Sequence, residues 1–249
     1  MTRIRAVTLD LWGTLISDTH SVEERRELRS EILSRHLGEE CPTTLEQSAE
    51  IQTATWSWFQ GIYEADWRTP PPAEILTHIL ELLGKRLDGD AFEALVAEFQ
   101  EVSLRFPPDP LTGALDAVSR LADRVPLAII SDTGFTPGSV IRKIFVEIGL
   151  GGLFQTMTFS DEQRRSKPHR SAYLRTLGEL GVEPAESLHI GDTERTDIVG
   201  ARSVGMKAIL YARGGETPPD GTAADGVLTD WSGLGRLLDE TGIVLTGEP

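Results

Sequence analysis

"VTLDLWGTLI", residues 7–16, decides the fold. An apolar, β-type run from Ile4 to Leu9 delivers Asp10 to a Gly13-Thr14 turn. A carboxylate at the end of a buried strand is placed to attack an electrophile. Two residues on, where a second carboxylate would serve acid–base chemistry, stands Trp12.

Outward from this stretch the pattern changes twice. Residues 17–106 contain no convincing strand. "SVEERRELRSEILSRHL" (21–37) sets Leu28, Ile32, Leu33 and Leu37 at helical spacing. Three more helical segments follow: 43–67, 71–87 (opened by prolines) and 89–106. "FPPDPLTG" (106–113) reads as a rigid linker, because its three prolines fit neither a helix interior nor a central strand.

Beyond the linker, strands and helices alternate. The strands are expected at 125–132, 154–161, 187–192, 207–212 and 226–230. Helices are expected between them, two of them ended by Gly181 and Gly205, with a last one at 232–240. Such alternation implies right-handed crossovers and a parallel sheet covered on both faces. The expected fold is α/β: a doubly wound, Rossmann-like parallel sheet made by residues 1–16 and 107–249, with an all-helical cap inserted at 17–106. Hinges are expected at Leu15–Thr19 and Phe106–Pro110. The tail 241–249 carries no reading.

Ligands of an open parallel sheet bind beyond the carboxyl ends of its strands. Four such ends carry polar residues here: Asp10; Ser131 with Asp132; the segment leading to Lys167; and Asp192 with Asp197. Asp10 and Asp192 bring anionic oxygens to one point, which suits Mg²⁺. Asp197 can orient a metal-bound water. Ser131 and Thr14 offer hydroxyl donors to a phosphate, and Lys167 offsets the negative charge.

Net charge is −15, which disfavours nucleic acid and requires a local positive site for any anionic substrate. Cys41 is the only cysteine, so an intrachain disulfide is excluded and a reducing, cytoplasmic setting is expected. No apolar run reaches membrane-spanning length.

The four motifs "DLWGTL", "IISDT", "SKPHRSAY" and "HIGDTERTD" resemble, in order, those of the haloacid dehalogenase superfamily, over residues 4 to about 211. The resemblance implies a hydrolase of small phosphorylated molecules. Asp10 is then the nucleophile. The Trp12 carbonyl and Asp192 bind Mg²⁺ with Asp197 in support, and Ser131 and Lys167 hold the transferring phosphoryl group. Most phosphatases of the superfamily carry a second Asp where this chain has Trp12. An indole neither ionises usefully nor accepts a proton. Related 2-haloacid dehalogenases place an aromatic there, yet "GDTERTD" and Asp132 look phosphatase-like. A 2-haloacid dehalogenase and a phosphate-binding protein with little turnover are the alternatives. Asp18, His20 and His78 are the residues in or near the cap able to replace the missing acid, although each also fits a solvent-exposed position. His189 is expected as a hydrogen-bonded core histidine and His169 as a helix start. "WSWF" (56–59), with Tyr63 and Trp67, is expected either to pack the cap or to line a substrate site.

Overall fold

The computed structural model describes residues 1–17, 19–38, 45–215, 217 and 219–246. Asp18 and Cys41 lie outside the described residues. Six strands form one parallel sheet: β1 (Ala6–Leu9), β2 (Leu127–Ser131), β3 (Thr156–Phe159), β4 (Ser187–Gly191), β5 (Lys207–Tyr211) and β6 (Gly226–Leu228). Their spatial order is β3-β2-β1-β4-β5-β6, so the chain reverses direction across the sheet beside β1. That reversal opens a crevice at the carboxyl ends of β1, β2 and β4.

Alternation along the strands divides the core between two faces. Val7, Leu9, Leu127 and Ile129 pack on one side with Val118, Ile141, Phe145 and Leu234. Ala6, Ala128 and Ile130 pack on the other with Tyr173, Leu177 and Ala201. Small alanines on the second face let its helices lie close.

The helices before the sheet resumes are α1 (Val22–Leu37), α2 (Leu45–Asp66), α3 (Pro72–Leu82), α4 (Gly89–Gln100) and α5 (Val102–Arg105). They bury a cluster of their own, including Ile32, Phe59, Ile75, Leu76, Leu95 and Phe99. Full burial of one such side chain is worth about 1.5–3 kcal/mol, so this unit has a core separate from the sheet's. The two chain crossings into it pair with each other. Ile16–Ser17 runs antiparallel to Asp109–Pro110, where a proline is tolerated because the ribbon is only two residues long and two strands wide.

The helices of the sheet domain are α6 (Ala114–Ala122), α7 (Gly138–Glu147), α8 (Ser160–Gln163), α9 (Arg170–Leu180), α10 (Val199–Val204) and α11 (Leu234–Thr241). One expectation needs correction, and two elements lie in segments that carried no reading. The first strand does not run unbroken from Ile4 to Leu9. Thr2–Ile4 leaves the main sheet to pair with Ile243–Leu245, and Arg5 instead donates its N–H to Glu186 O at 2.7 Å. The tail thus forms a strand. Finally, α6 went unread beside the prolines, although Ala114, Ala117, Val118 and Leu121 show the helical spacing and are all buried.

Candidate active site

β1 ends at Leu9, and the next N–H, that of Asp10, donates to Ile190 O at 2.9 Å. This carries the sheet's register one residue further and aims Asp10 into the crevice. The Asp10 carboxylate receives the Thr14 hydroxyl on Oδ2 at 3.0 Å and the Lys167 ammonium on Oδ1. Lys167 Nζ also donates to Asp197 Oδ1 at 2.7 Å. All three side chains are less than a tenth exposed.

Asp197 is saturated. Its Oδ1 also meets His189 Nε2 at 3.1 Å, and its Oδ2 accepts the Thr193 N–H at 3.0 Å. Behind it, His189 Nδ1 lies 2.8 Å from Thr8 Oγ1, and its ring stands edge-on to Tyr173. His189 is therefore a fully buried, hydrogen-bonded core histidine, and His169 caps α9 by accepting the Ser171 N–H.

Asp192 faces the cluster across Gly13. A Cβ on Gly13 would lie 2.1 Å from Asp192 Oδ2, and Gly13 has φ +77°. Both facts require glycine there. Gly13→Ala is expected to displace Asp192 and to add backbone strain of about 1–3 kcal/mol, lowering the melting temperature and divalent-cation affinity together. An unchanged melting temperature would contradict this geometry.

Asp10, Asp192 and Asp197 each offer a carboxylate oxygen, all within 4.8 Å of one another. Burial pushes the Asp10 carboxyl up, Lys167 opposes this and Asp197 adds to it. Burial, then Asp10 and Asp197, push Asp192 up to about 7. Burial also works against charge on Lys167, but Asp10, Asp197 and Asp132 outweigh it and hold the ammonium well above its ordinary value. For Asp197 burial is again opposed, by Lys167 and the His189 hydrogen bond, which hold it below the usual carboxylate range. One ammonium among these carboxylates leaves an excess of negative charge that a bound cation would relieve.

At the end of β2, Ser131 is buried, and its hydroxyl donates to the Asp132 carbonyl at 3.2 Å. Asp132 and Thr133 line the cavity beside the cluster, whereas Ser131 does not. Burial pushes Asp132 up to about 7, against Lys167 and its backbone N–H. Asp132 Oδ1 accepts the Lys167 N–H at 2.9 Å, and Oδ2 accepts the Tyr63 hydroxyl at 3.2 Å.

Tyr63 belongs to α2, and its hydroxyl also reaches Lys167 O at 2.8 Å. Around it the helical unit grips the lysine loop. Trp67 O accepts the Ser166 N–H at 2.7 Å, and the buried Thr69 hydroxyl lies 2.6 Å from Ser160 Oγ and 2.5 Å from Ser166 Oγ. Trp67 holds φ +47°, a strained conformation for a bulky residue, within this network. The helical unit is therefore tied to the sheet domain at a third place besides the two chain crossings.

The cavity between the two units measures about 530 Å³. Trp12, Trp56, Phe59 and Tyr63 line it, while Trp58 stacks on His78 and Trp67 lies under the Arg195 guanidinium. The aromatic run thus divides between lining and packing. Arg25, Arg29 and Arg195 also line the cavity and provide positive charge against the acidic surface. Sequence reading missed them. The i, i+4 spacing of Arg25 and Arg29 on an otherwise apolar helix face was the available signal. His20 pairs with Asp109 on the exterior, and neither it nor His78 lines the cavity.

A sequence model of the haloacid dehalogenase-like hydrolases matches residues 4–205. Protein CbbY of Rhodobacter capsulatus is 27% identical over 190 residues, 73% of this chain and 82% of that protein. The glyceraldehyde 3-phosphate phosphatase of Pyrococcus furiosus is 31% identical over 81 residues, which span 32% of this chain and 34% of that protein. Among solved structures, a 2-haloacid dehalogenase from Pseudomonas syringae superposes with TM-score 0.72 at 23% identity, covering 95% of this chain and 99% of that one. An HAD phosphatase from Thermococcus onnurineus gives TM-score 0.68 at 21% identity, covering 94% and 97%. The family match over most of the chain, on a sheet with a helical cap, places this protein among the haloacid dehalogenase-like hydrolases.

Proposed function

We propose that this protein is a Mg²⁺-dependent hydrolase of a small phosphate monoester that works through an aspartyl-phosphate on Asp10. The observation that carries this is the joint placement of Asp10, Lys167 and Asp192 on one cavity. Residues 17–106 act as the cap and 1–16 with 107–249 as the catalytic core.

The donor set fits a hard divalent cation. Asp10, Asp192 and Asp197 offer carboxylate oxygens within 4.8 Å of one another, and the absence of a side chain at Gly13 lets Asp192 approach. Asp10, Asp192 and the Trp12 carbonyl would hold Mg²⁺. Asp197, already saturated, positions Lys167 and the 193 backbone. When bound, Mg²⁺ supplies charge neutralisation at the phosphoryl oxygens.

The chain's own residues do the rest. Lys167 lowers the cost of bringing a phosphate against Asp10 and stabilises charge on the transferring group. Thr14 holds Asp10 Oδ2, which fixes the carboxylate's orientation for in-line attack. Asp132, Thr133 and Gly134 shape the phosphate end of the cavity, and Ser131, buried behind them, supports that turn through its hydrogen bond to the Asp132 carbonyl. The cap excludes water from it.

The test is phosphate release from 4-nitrophenyl phosphate with Mg²⁺ and with EDTA, together with acid-quenched mass spectrometry. A Mg²⁺-dependent rate and a phosphoryl adduct on the peptide carrying Asp10 are expected. Activity that is indifferent to EDTA, with halide released from 2-haloacids, would favour the dehalogenase reading. Trp12 in the cavity lining is the observation that speaks for that reading.

Tyr63→Phe removes the cap's hydrogen bonds to Asp132 and to the Lys167 carbonyl. Buried acceptors left unpaired cost about 1–3 kcal/mol. A fall in kcat of roughly tenfold with little change in KM is expected. Wild-type kcat in this variant would show that the cap does not position Lys167.

A further inference from the structure

We propose that the natural substrate is an aryl phosphate, an ester whose leaving group is flat, apolar and acidic enough to depart without a proton. The inference deepens the phosphatase reading above and rests on it. Two independent observations carry it.

The first is the wall. The cavity that holds Asp10 and Lys167 is also lined by Trp12, Trp56, Phe59 and Phe135. Trp56 and Phe59 stack at 5.3 Å with an interplanar angle of 7°, and Trp56 remains 53% exposed. A stacked pair with one open face is a surface for another flat ring. The cavity's size lies within the range of small-molecule sites.

The second is the supply of protons. Trp12 has none to give. None of the five histidines lines the cavity: His20 pairs with Asp109, His36 with Glu98, His78 stacks on Trp58, His169 caps α9 and His189 stands behind Asp197. The Lys167 ammonium is held by Asp10 and Asp197. The Tyr63 hydroxyl is directed at Lys167 O and Asp132. Glu64 and Asp132, which accepts the Lys167 N–H and the Tyr63 hydroxyl, are the cavity carboxyl groups outside the acidic cluster, and the experiment below tests both. An alkoxide is about as basic as hydroxide, whose parent water has a pKa near 15.7, and leaves slowly unless protonated. A phenol titrates near 10. In the first step an Asp10 oxygen bonds to phosphorus as the P–O(aryl) bond breaks. The electron pair stays on the aryl oxygen, delocalised into the ring, and solvent supplies the proton after departure.

The experiment measures single-turnover phosphorylation of the full chain with Mg²⁺. The substrates are 4-nitrophenyl, phenyl and 2-naphthyl phosphate, against butyl and glycerol phosphate. Aryl esters are expected to react at least about 10²-fold faster than alkyl esters, the loss typical of absent acid catalysis. Trp56→Ala is expected to raise KM for 2-naphthyl phosphate by roughly 2–10-fold, the worth of one aromatic contact, while inhibition by inorganic phosphate is unchanged. Alkyl and aryl esters reacting alike would overturn the inference and leave the phosphatase reading standing. So would alkyl rates that collapse, with aryl rates kept, in Glu64→Gln or in Asp132→Asn, because that cavity carboxyl group would then be the acid. No phosphate from any ester would overturn the phosphatase reading itself.

Discussion

Wild-type protein mixed with 4-nitrophenyl phosphate and Mg²⁺ in a rapid-quench apparatus is expected to release one equivalent of nitrophenol per site in a burst, followed by slow turnover. In the proposed mechanism, formation of the aspartyl-phosphate needs Asp10 and Lys167, which are in contact. Its hydrolysis needs a base to activate water. Trp12 lines the cavity where that base would stand, and its indole accepts no proton. Neither His20 nor His78 compensates from the cap, since both lie away from the cavity. General acid–base assistance is worth about 10²–10⁴ in rate, and the slow phase should be depressed by that order. Trp12→Asp should shorten or abolish it. Fast steady turnover without a burst in the wild type would show that another cavity group activates the water. Absence of both burst and turnover, with Mg²⁺ shown to bind, would favour the binding-protein alternative.

Lys167→Met is expected to be the most damaging single change to the site. The ammonium is 3% exposed and is shared by Asp10 and Asp197. Its removal leaves buried carboxylates facing one another, a loss of about 3–5 kcal/mol for a broken buried pair. The melting temperature should drop by several degrees and recover partly on adding Mg²⁺, because binding to the folded state alone stabilises it. Phosphorylation of Asp10 should still fall by about 10²–10³, the usual effect of removing one group that stabilises transition-state charge. Wild-type stability in the Lys167→Met variant would mean that the carboxylates are neutral in the folded state. Wild-type phosphorylation in it would remove Lys167 from the mechanism.

Much of this was legible in one dimension because the relevant rules are local. An apolar run ending in a polar residue marks a strand end. Gly181 and Gly205 stop helices because they adopt a left-handed conformation cheaply. The order of Asp10, Asp132, Lys167 and Asp192 along alternating strands and helices then implies one crevice. The helix Ala114–Ala122 obeyed the same rules and was overlooked beside three prolines. The strand Ile243–Leu245 was not readable, because its partner, Thr2–Ile4, lies near the other end of the chain.

The sequence by itself determined the parallel sheet, the inserted helices, the acidic cluster and the anomaly at Trp12. Only the tertiary structure decided what surrounds them. It placed Asp192 over Gly13, saturated Asp197 with Lys167, His189 and Thr193, and turned Ser131 inward. It brought Tyr63 and Thr69 onto the lysine loop across about a hundred residues of chain, and sent His20 outward to Asp109. The physical reason is that periodicity reports which face of an element is buried. It does not report which distant element covers that face, and here the covering element supplies the aromatic wall and part of the lysine's support.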